Sequence, residues 1–258
     1  MPELPDVEVF KRYIDSTSLH KELIGVDVED DRVLDESTTV KDLEKLKGSE
    51  FMETKRIGKH CLIKTGKRWL ALHFGMTGLV EYHKRGEPEH VKVRFRFPDG
   101  YELNYICTRV LGKLTITDDP GIYAENNDLG PDIYDMEKEE FVKRLSSKRG
   151  QIKSALMDQS LMSGLGNIYT DEVLFHASIH PKTRVSELNE EDLEGIHDIV
   201  REVIETTVKA GADPGKMPDD YLIPLMGKED RCPLDGGKIE NIKVNGRTTY
   251  FCSMHQSS

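Results

Sequence analysis

The sequence lacks long hydrophobic runs, a disulfide pattern and a secretory signal. No apolar stretch in its 258 residues approaches the ~18 residues of a membrane-spanning helix, which excludes an integral protein of the helical kind. Its start carries acids and prolines where a signal peptide needs basic and then apolar residues. The four cysteines do not have the spacing of a disulfide framework, which suits a reducing compartment: Cys61, Cys107, Cys232 and Cys252. We therefore expect a soluble cytoplasmic protein with no membrane contact.

Positive charge is also in deficit. The chain has 36 lysines and arginines against 47 acidic residues, a net charge of -11. Net charge governs solubility and long-range steering, whereas binding depends on where the cations lie. Basic residues concentrate at 55–68, 92–96 and 143–153. Taken alone, each stretch is explained as well by a solvated face as by a nucleic-acid contact.

The first half of the chain has the pattern of a β protein. Apolar residues three to four apart predict a helix over 5–16. Residues 91–97 then alternate strictly between apolar and basic, and the turn residues 98–100 precede another strand, which predicts a hairpin. Together the predicted strands favour an antiparallel β-sandwich with flanking helices: 26–29, 50–56, 60–65, 69–74, 79–83, 91–97, 101–106 and 113–117.

The pattern changes near 126–131 and becomes helical from residue 138. Asn189 is a good N-cap for the clearest helix, which Gly211 and Pro214 end. Residues 212–231 have the composition of an irregular loop, and 232–258 return to short strands. The sequence thus predicts an α+β protein with an N-terminal domain at 1–131, a helical domain at 132–227 and a C-terminal hairpin at 228–258.

Pro2 follows the initiator methionine, whose removal would leave a free secondary amine. The pKa of an α-amino group is near ~7.7–8.0, so roughly a tenth of this amine is unprotonated at neutral pH. A lysine, with a pKa near ~10.4, would be almost fully protonated. The free amine of Pro2 can attack a sugar C1′, with Glu3 as its acid/base partner. By itself, however, a second-position proline is more often without function.

The surrounding residues change that interpretation. Met-Pro-Glu-Leu-Pro-Asp-Val-Glu at 1–8 resembles the N-terminus of the formamidopyrimidine-DNA glycosylase/endonuclease VIII family. The resemblance continues in family order through 56–60, 73–78, 129–131, 159–181 and 246–252. It implies that Pro2 is the nucleophile forming a Schiff base with the sugar and that Glu3 is the adjacent acid/base. It further implies that Lys59, which follows a turn glycine able to present it outward, is a proton donor, and that Arg247 grips phosphate at the tip of the C-terminal hairpin.

The same resemblance assigns residues that contact DNA. Met76, between two turn glycines, would fill the gap left by a flipped base. Arg109 would face the orphaned partner base, with Leu111 in place of the usual aromatic. His73 belongs to the matched segment around Met76. Helices over 151–158 and 167–176 resemble the family's helix–two-turn–helix, in which we expect Asn167 to cap the second helix and its free N–H groups to hold a phosphate, assisted by Arg149 and Lys153.

The family often ends in a zinc finger with two Cys-x-x-Cys pairs. Here the corresponding pairs are Cys232-x-x-Asp235 and Cys252-x-x-His255. Histidine and carboxylate both bind zinc, although a carboxylate is less usual in a structural site. The resemblance therefore implies a structural Zn²⁺ on these four residues, with metal-free packing or an incomplete site as the alternative.

The expected function is base-excision repair on damaged double-stranded DNA by a nucleoid-associated monomer. It comprises excision of oxidised purines such as 8-oxoguanine and formamidopyrimidine, followed by β- and δ-elimination. One alternative is specificity for oxidised pyrimidines. The other is a damage-binding protein without catalysis, which the retention of Pro2, Glu3, Lys59 and Arg247 disfavours.

Overall fold

A computed structural model describes residues 1–84, 86, 88–228 and 231–256. Residues 229, 230, 257 and 258, which belong to the predicted C-terminal hairpin region, lie outside the described residues. The chain forms two compact units, one of residues 1–2 and 6–127 and the other of residues 3–5 and 128–258. Among the described residues, no helix has both the length and the apolar character needed to cross a membrane.

The first unit is built on two four-stranded antiparallel sheets. The strands are β1 (Gly25–Val28), β2 (Phe51–Ile57), β3 (His60–Thr65), β4 (Arg68–His73), β5 (Gly78–Lys84), β6 (Val91–Arg96), β7 (Tyr101–Cys107) and β8 (Lys113–Thr117). Their orders in the two sheets are β1-β6-β7-β5 and β2-β3-β4-β8. The helices are α1 (Leu4–Thr17), α2 (Val40–Glu44) and α3 (Pro120–Asn126), and Asp31–Val33 forms a 3₁₀ turn. One hydrophobic core joins residues of both sheets and of α1, so the predicted sandwich with flanking helices is confirmed.

Strand β6 explains one of the basic stretches. Its apolar residues are buried in alternation with the cations at 92, 94 and 96, as the period of a half-buried strand requires. Those cations pair with acids on or just after the neighbouring strand β1. The pairs are Lys92 with Asp30 at 3.1 Å, Arg94 with Glu29 at 3.1 Å and Arg96 with Asp27 at 2.9 Å. These charges are therefore already balanced within the sheet.

The second unit is helical and ends in a hairpin. Its helices are α4 (Lys138–Ser146), α5 (Ile152–Leu156), α6 (Asn167–His176) and α7 (Glu190–Lys209), and its strands are β9 (Ile239–Val244) and β10 (Arg247–Cys252). Asn189 caps α7 as predicted, with a reciprocal bond from Asp192. The predicted loop at 212–231 contains two 3₁₀ turns, Pro214–Lys216 and Ile223–Leu225. The residues predicted as a separate C-terminal hairpin belong to this unit.

Candidate functional site

The carboxylate of Glu3 occupies the N-terminus of helix α6. Glu3 is 1% exposed. One carboxylate oxygen accepts from the Gly166 and Tyr169 amides at 2.8 and 3.3 Å, and the other accepts from Ile168 at 3.0 Å. The first N–H groups of a helix have no partner within the helix, and its positive dipole end favours an anion. The residue after Pro2 is thus fixed in place by a helix 163 positions further along the chain.

The prediction that Asn167 caps this helix is wrong. The N-cap is Gly166, and Asn167 is the first helical residue. A Cβ on Gly166 would lie 2.4 Å from the Glu3 carboxyl carbon, so glycine permits the carboxylate to approach. The N–H groups that were expected to hold a phosphate donate instead to Glu3. The Asn167 side-chain amide donates to the Thr248 carbonyl at 2.9 Å, which joins α6 to strand β10.

Arg247 opens strand β10 directly after a tight turn. Asn245 and Gly246 both have positive φ values, 47° and 75°, as a two-residue Asn-Gly hairpin turn requires. Val244 and Arg247 pair across the turn. The Arg247 side chain is exposed, so its guanidinium is available at the end of the hairpin.

The two predicted phosphate helpers in this unit differ in exposure. Arg149 is exposed. Lys153 is 1% exposed, and its ammonium lies 2.5 Å from the Asp171 carboxylate. Burial lowers the pKa of Lys153 despite this partner. The lysine is therefore directed into the unit rather than presented to solvent.

In the first unit, Lys59 follows Gly58 in the turn of the β2–β3 hairpin, where Gly58 has a φ of 55°. The expectation that this turn presents Lys59 outward is wrong, because the lysine is 9% exposed. Beside it, His60 and His73 stack with ring centroids 4.7 Å apart. Tyr123 lies 2.8 Å from Nδ1 of His60. Burial, and then the charge of Lys59, lower the pKa of His73.

The loops carrying Met76 and Arg109 interlock. The Arg109 amide donates to the Thr77 hydroxyl at 3.2 Å. A Cβ on Gly75 would lie 2.4 Å from the Leu111 carbonyl carbon, and one on Gly112 would lie 1.8 Å from the Tyr105 hydroxyl. Such close backbone approach requires glycine at both positions. The predicted wedge Met76 is 44% exposed and Leu111 is 48% exposed.

Val110, which lies between Arg109 and Leu111 in the second loop, has a φ of 53°. This is a costly conformation for a β-branched side chain. Val110 packs against the core of the first unit, while Arg109 and Leu111 on either side are exposed. The strained residue thus anchors the loop inward and leaves its two neighbours projecting outward.

At the C-terminus, Cys232, Asp235, Cys252 and His255 offer ligand atoms that all lie within 4.8 Å of one another. Nδ1 of His255 is 2.8 Å from Asp235 and 3.6 Å from the Cys232 sulfur. Ligands about 2.0–2.3 Å from a tetrahedral zinc are about 3.5 Å apart. Nε2 of His255 lies 3.2 Å from the Phe175 carbonyl, the kind of outer contact that orients a metal-binding imidazole. The group could therefore hold a metal ion.

Comparison with known proteins identifies the family. Residues 1–114 match the formamidopyrimidine-DNA glycosylase N-terminal domain, and residues 129–218 match the formamidopyrimidine-DNA glycosylase H2TH domain. The chain belongs to the formamidopyrimidine-DNA glycosylase family. The formamidopyrimidine-DNA glycosylase of Synechocystis sp. is 32% identical over 285 residues, which cover 99% of this chain and 98% of that protein. That of Oceanobacillus iheyensis is 31% identical over 271 residues, covering 98% and 96%.

Solved structures of this family share the fold. Lactococcus lactis Fpg bound non-covalently to DNA containing an AP site aligns with a TM-score of 0.89 at 29% identity, covering 99% of this chain and 100% of that one. The same organism's Fpg with FAPY-dG-containing DNA aligns with a TM-score of 0.87 at 26% identity, again over 99% and 100%.

Within this family member, sequence reasoning missed His60, Tyr123 and Asp171. His60 could have been found from the hairpin register. The turn at 66–67 pairs Thr65 with Arg68, and counting back along both strands brings His60 opposite His73. Tyr123 and Asp171 reach their partners through tertiary packing, for which the local sequence has no signal.

Proposed function

We propose that this formamidopyrimidine-DNA glycosylase family member excises oxidised purines from duplex DNA and then cleaves the strand, with Pro2 as nucleophile. The observation that carries the proposal is Glu3: its carboxylate is buried and held by three backbone amides, directly after the proline. Family relatives were solved on DNA containing FAPY-dG and an AP site, which supports the same substrates here.

The chemistry follows from a free amine at Pro2 once Met1 is removed. The amine attacks C1′ as the damaged base leaves, and breaking of the C1′–O4′ bond then gives an iminium that withdraws electrons from the sugar. Loss of a proton from C2′ expels the 3′ phosphate, and loss of a further proton from C4′ expels the 5′ phosphate. Glu3 acts as acid/base in opening the sugar ring, Lys59 donates a proton during elimination, and Arg247 binds phosphate for the second step.

Met76 and Leu111 suit the role of wedges, because both project from interlocked loops and filling the space of an extruded base offsets lost stacking. Arg109 projects beside them and would face the orphaned base. His73 and Arg149 would contact phosphates, which position the duplex without reading its sequence. Asn167 contributes indirectly, through its bond to strand β10.

Cys232, Asp235, Cys252 and His255 would hold a structural Zn²⁺, which would crosslink the base of the hairpin that carries Arg247. The close ligand atoms and the Phe175 carbonyl behind His255 support this assignment. Metal analysis should find about one zinc per chain in the wild type and a large loss in His255→Ala. Equal metal content in both proteins would contradict it.

The nucleophile is tested by borohydride trapping on a duplex with a single abasic site. We expect a covalent adduct with the wild type and none with Pro2→Gly. Unimpaired DNA binding without an adduct on any lesion would instead identify the non-catalytic, damage-binding alternative.

The same assay over 8-oxoguanine, formamidopyrimidine, thymine glycol and dihydrouracil tests the lesion class. The proposal expects faster cleavage of the two purine lesions, and preference for the two pyrimidines would overturn it. The replacement of an aromatic wedge by Leu111 makes this comparison informative. We expect the enzyme to act as a monomer in the cytoplasm, on the nucleoid DNA that carries its substrate.

A further inference from the structure

Strand β10 is attached to the helices beside it through three consecutive residues. The Thr248 carbonyl accepts from Asn167 at 2.9 Å. The Thr249 hydroxyl accepts from the Lys153 ammonium at 2.6 Å, and the Tyr250 amide donates to Asp171 at 3.0 Å. Arg247 immediately precedes these three residues. The start of β10 is therefore fixed in register by side chains of α5 and α6.

The centre of this attachment is a buried ion pair. Lys153 and Asp171 are each 1% exposed and lie 2.5 Å apart. Desolvation of two charges offsets much of their attraction, so a buried pair is weak grounds for stability, and a role in fixing geometry is the better attested use. Burial raises the pKa of Asp171 to about 7 and lowers that of Lys153, which is the signature of this desolvation cost.

The pair also lies within electrostatic range of two proposed functional residues. The charge of Glu3 favours the protonated ammonium of Lys153, and the charge of Arg247 disfavours it. The charge of Glu3 also disfavours the ionised carboxylate of Asp171. Helix α6 thus holds Glu3 at its first amides and strand β10 through Asn167 and Asp171. Displacing β10 on α6 would move Arg247 relative to Glu3.

We propose that Asp171 is a positioning residue for strand cleavage: through Lys153 and the Tyr250 amide it sets the register of β10 and hence the place of Arg247. The proposal rests on the function proposed above, in which Arg247 serves the second elimination. Asp171 touches no substrate. Its loss should therefore impair the second elimination without impairing attack by Pro2.

The test uses the full-length protein on a duplex with one abasic site. It measures the borohydride-trapping rate and the ratio of doubly to singly eliminated product. In Asp171→Asn, we expect the product ratio to fall about tenfold or more, since ångström-scale misplacement has effects of this order, while the trapping rate stays within about threefold. The matched control is Glu102→Gln, which removes another buried, ion-paired carboxylate, in the first unit, and should leave the ratio unchanged.

A second variant separates positioning from folding. Lys153→Met combined with Asp171→Leu replaces the ion pair by apolar side chains, which proteins often tolerate without loss of stability, but it removes both bonds to β10. We expect a lowered product ratio at a near-wild-type unfolding midpoint. A wild-type ratio in this double variant, or equal losses of trapping and of both products in Asp171→Asn, would overturn the proposal. Absence of a trapped adduct in the wild type would instead refute the proposed function.

Discussion

Replacement of Glu3 should destabilise the second unit, quite apart from any effect on chemistry. The carboxylate accepts from three backbone amides at 2.8–3.3 Å while 1% exposed. Hydrogen bonds to a charged group are each worth about 1.5–3 kcal/mol net, and a buried donor left without a partner costs about 1–3 kcal/mol. Water entering the truncated site recovers part of this. We expect Glu3→Ala to lower the free energy of unfolding by about 4 kcal/mol.

Glu3→Gln keeps the shape but not the charge. One amide oxygen can still accept, whereas the amide nitrogen would face a backbone N–H. We therefore expect an intermediate loss of about 2 kcal/mol. If Glu3 stabilises the start of α6, the free energy of unfolding should decrease in the order wild type, Glu3→Gln, Glu3→Ala. If its role were purely catalytic, both variants would be inactive yet as stable as the wild type.

The assay is urea unfolding followed by circular dichroism at 222 nm, which reports mainly the helices. With a slope of about 2 kcal/mol per molar urea, a loss of about 4 kcal/mol moves the midpoint down by about 2 M. The single tryptophan, Trp69, lies in the first unit, so its fluorescence provides a reference for that unit. Glu36→Ala, which removes an exposed carboxylate, serves as the control. A loss below about 1 kcal/mol in Glu3→Ala would refute the reasoning.

Three further predictions concern other parts of the molecule. Burial lowers the pKa of His60 to about 3, so this histidine takes up a proton between pH 7 and pH 5 only in the unfolded state. The free energy of unfolding should therefore fall by about 2 kcal/mol over this range. The same pH dependence in wild type and His60→Phe, measured by urea unfolding, would contradict this. Gly112→Ala places a Cβ 1.8 Å from the Tyr105 hydroxyl and should lower the free energy of unfolding by about 1–3 kcal/mol. Gly195→Ala has open space within α7 and should raise it by about 0.5–1 kcal/mol. Thermal melts of both variants measure the two changes. Affinity of Pro2→Gly for an abasic duplex should fall with salt at a log–log slope near about -2 if Arg149 and Arg247 each meet a phosphate. On that background Arg149→Ala should flatten the slope by about 0.9 and Arg94→Ala should leave it unchanged, and an equal effect of both would argue against the assignment.

The strands could be predicted because alternation and turn residues are local. Residues 60–65 and 113–117 were predicted with the bounds observed, and the other strands within about one or two residues, the accuracy expected of boundaries. Helix α7 could be predicted for the same reason, since Asn189 and Asp192 form its cap within four residues. Short helices such as α2 and α3 were missed because five to seven residues carry too little periodicity.

The site was predicted less well, because its decisive contacts join distant parts of the chain. Asn167 has the right chemistry for a cap, but the N-cap is Gly166, and the first amides of α6 donate to Glu3, which only the tertiary fold brings there. Lys153 belongs to a basic stretch, but it is buried against the carboxylate of Asp171, 18 positions away. The family resemblance assigns roles to Glu3 and Lys153 without indicating that helix α6 connects them.

A net charge of -11 is compatible with DNA binding, because binding depends on where the unbalanced cations lie. Most of the basic residues noted in the sequence are paired with acids, so their positive charge is balanced within the protein. Examples from the three stretches are Arg68 with Asp118 at 2.9 Å, Arg94 with Glu29 at 3.1 Å and Lys148 with Asp158 at 2.9 Å. Most cations in these basic stretches thus form ion pairs with acidic side chains of the same chain. The cations assigned to DNA are instead set by turns and loops, as Arg247 is by the Asn-Gly turn before it, so their position rather than their number determines binding.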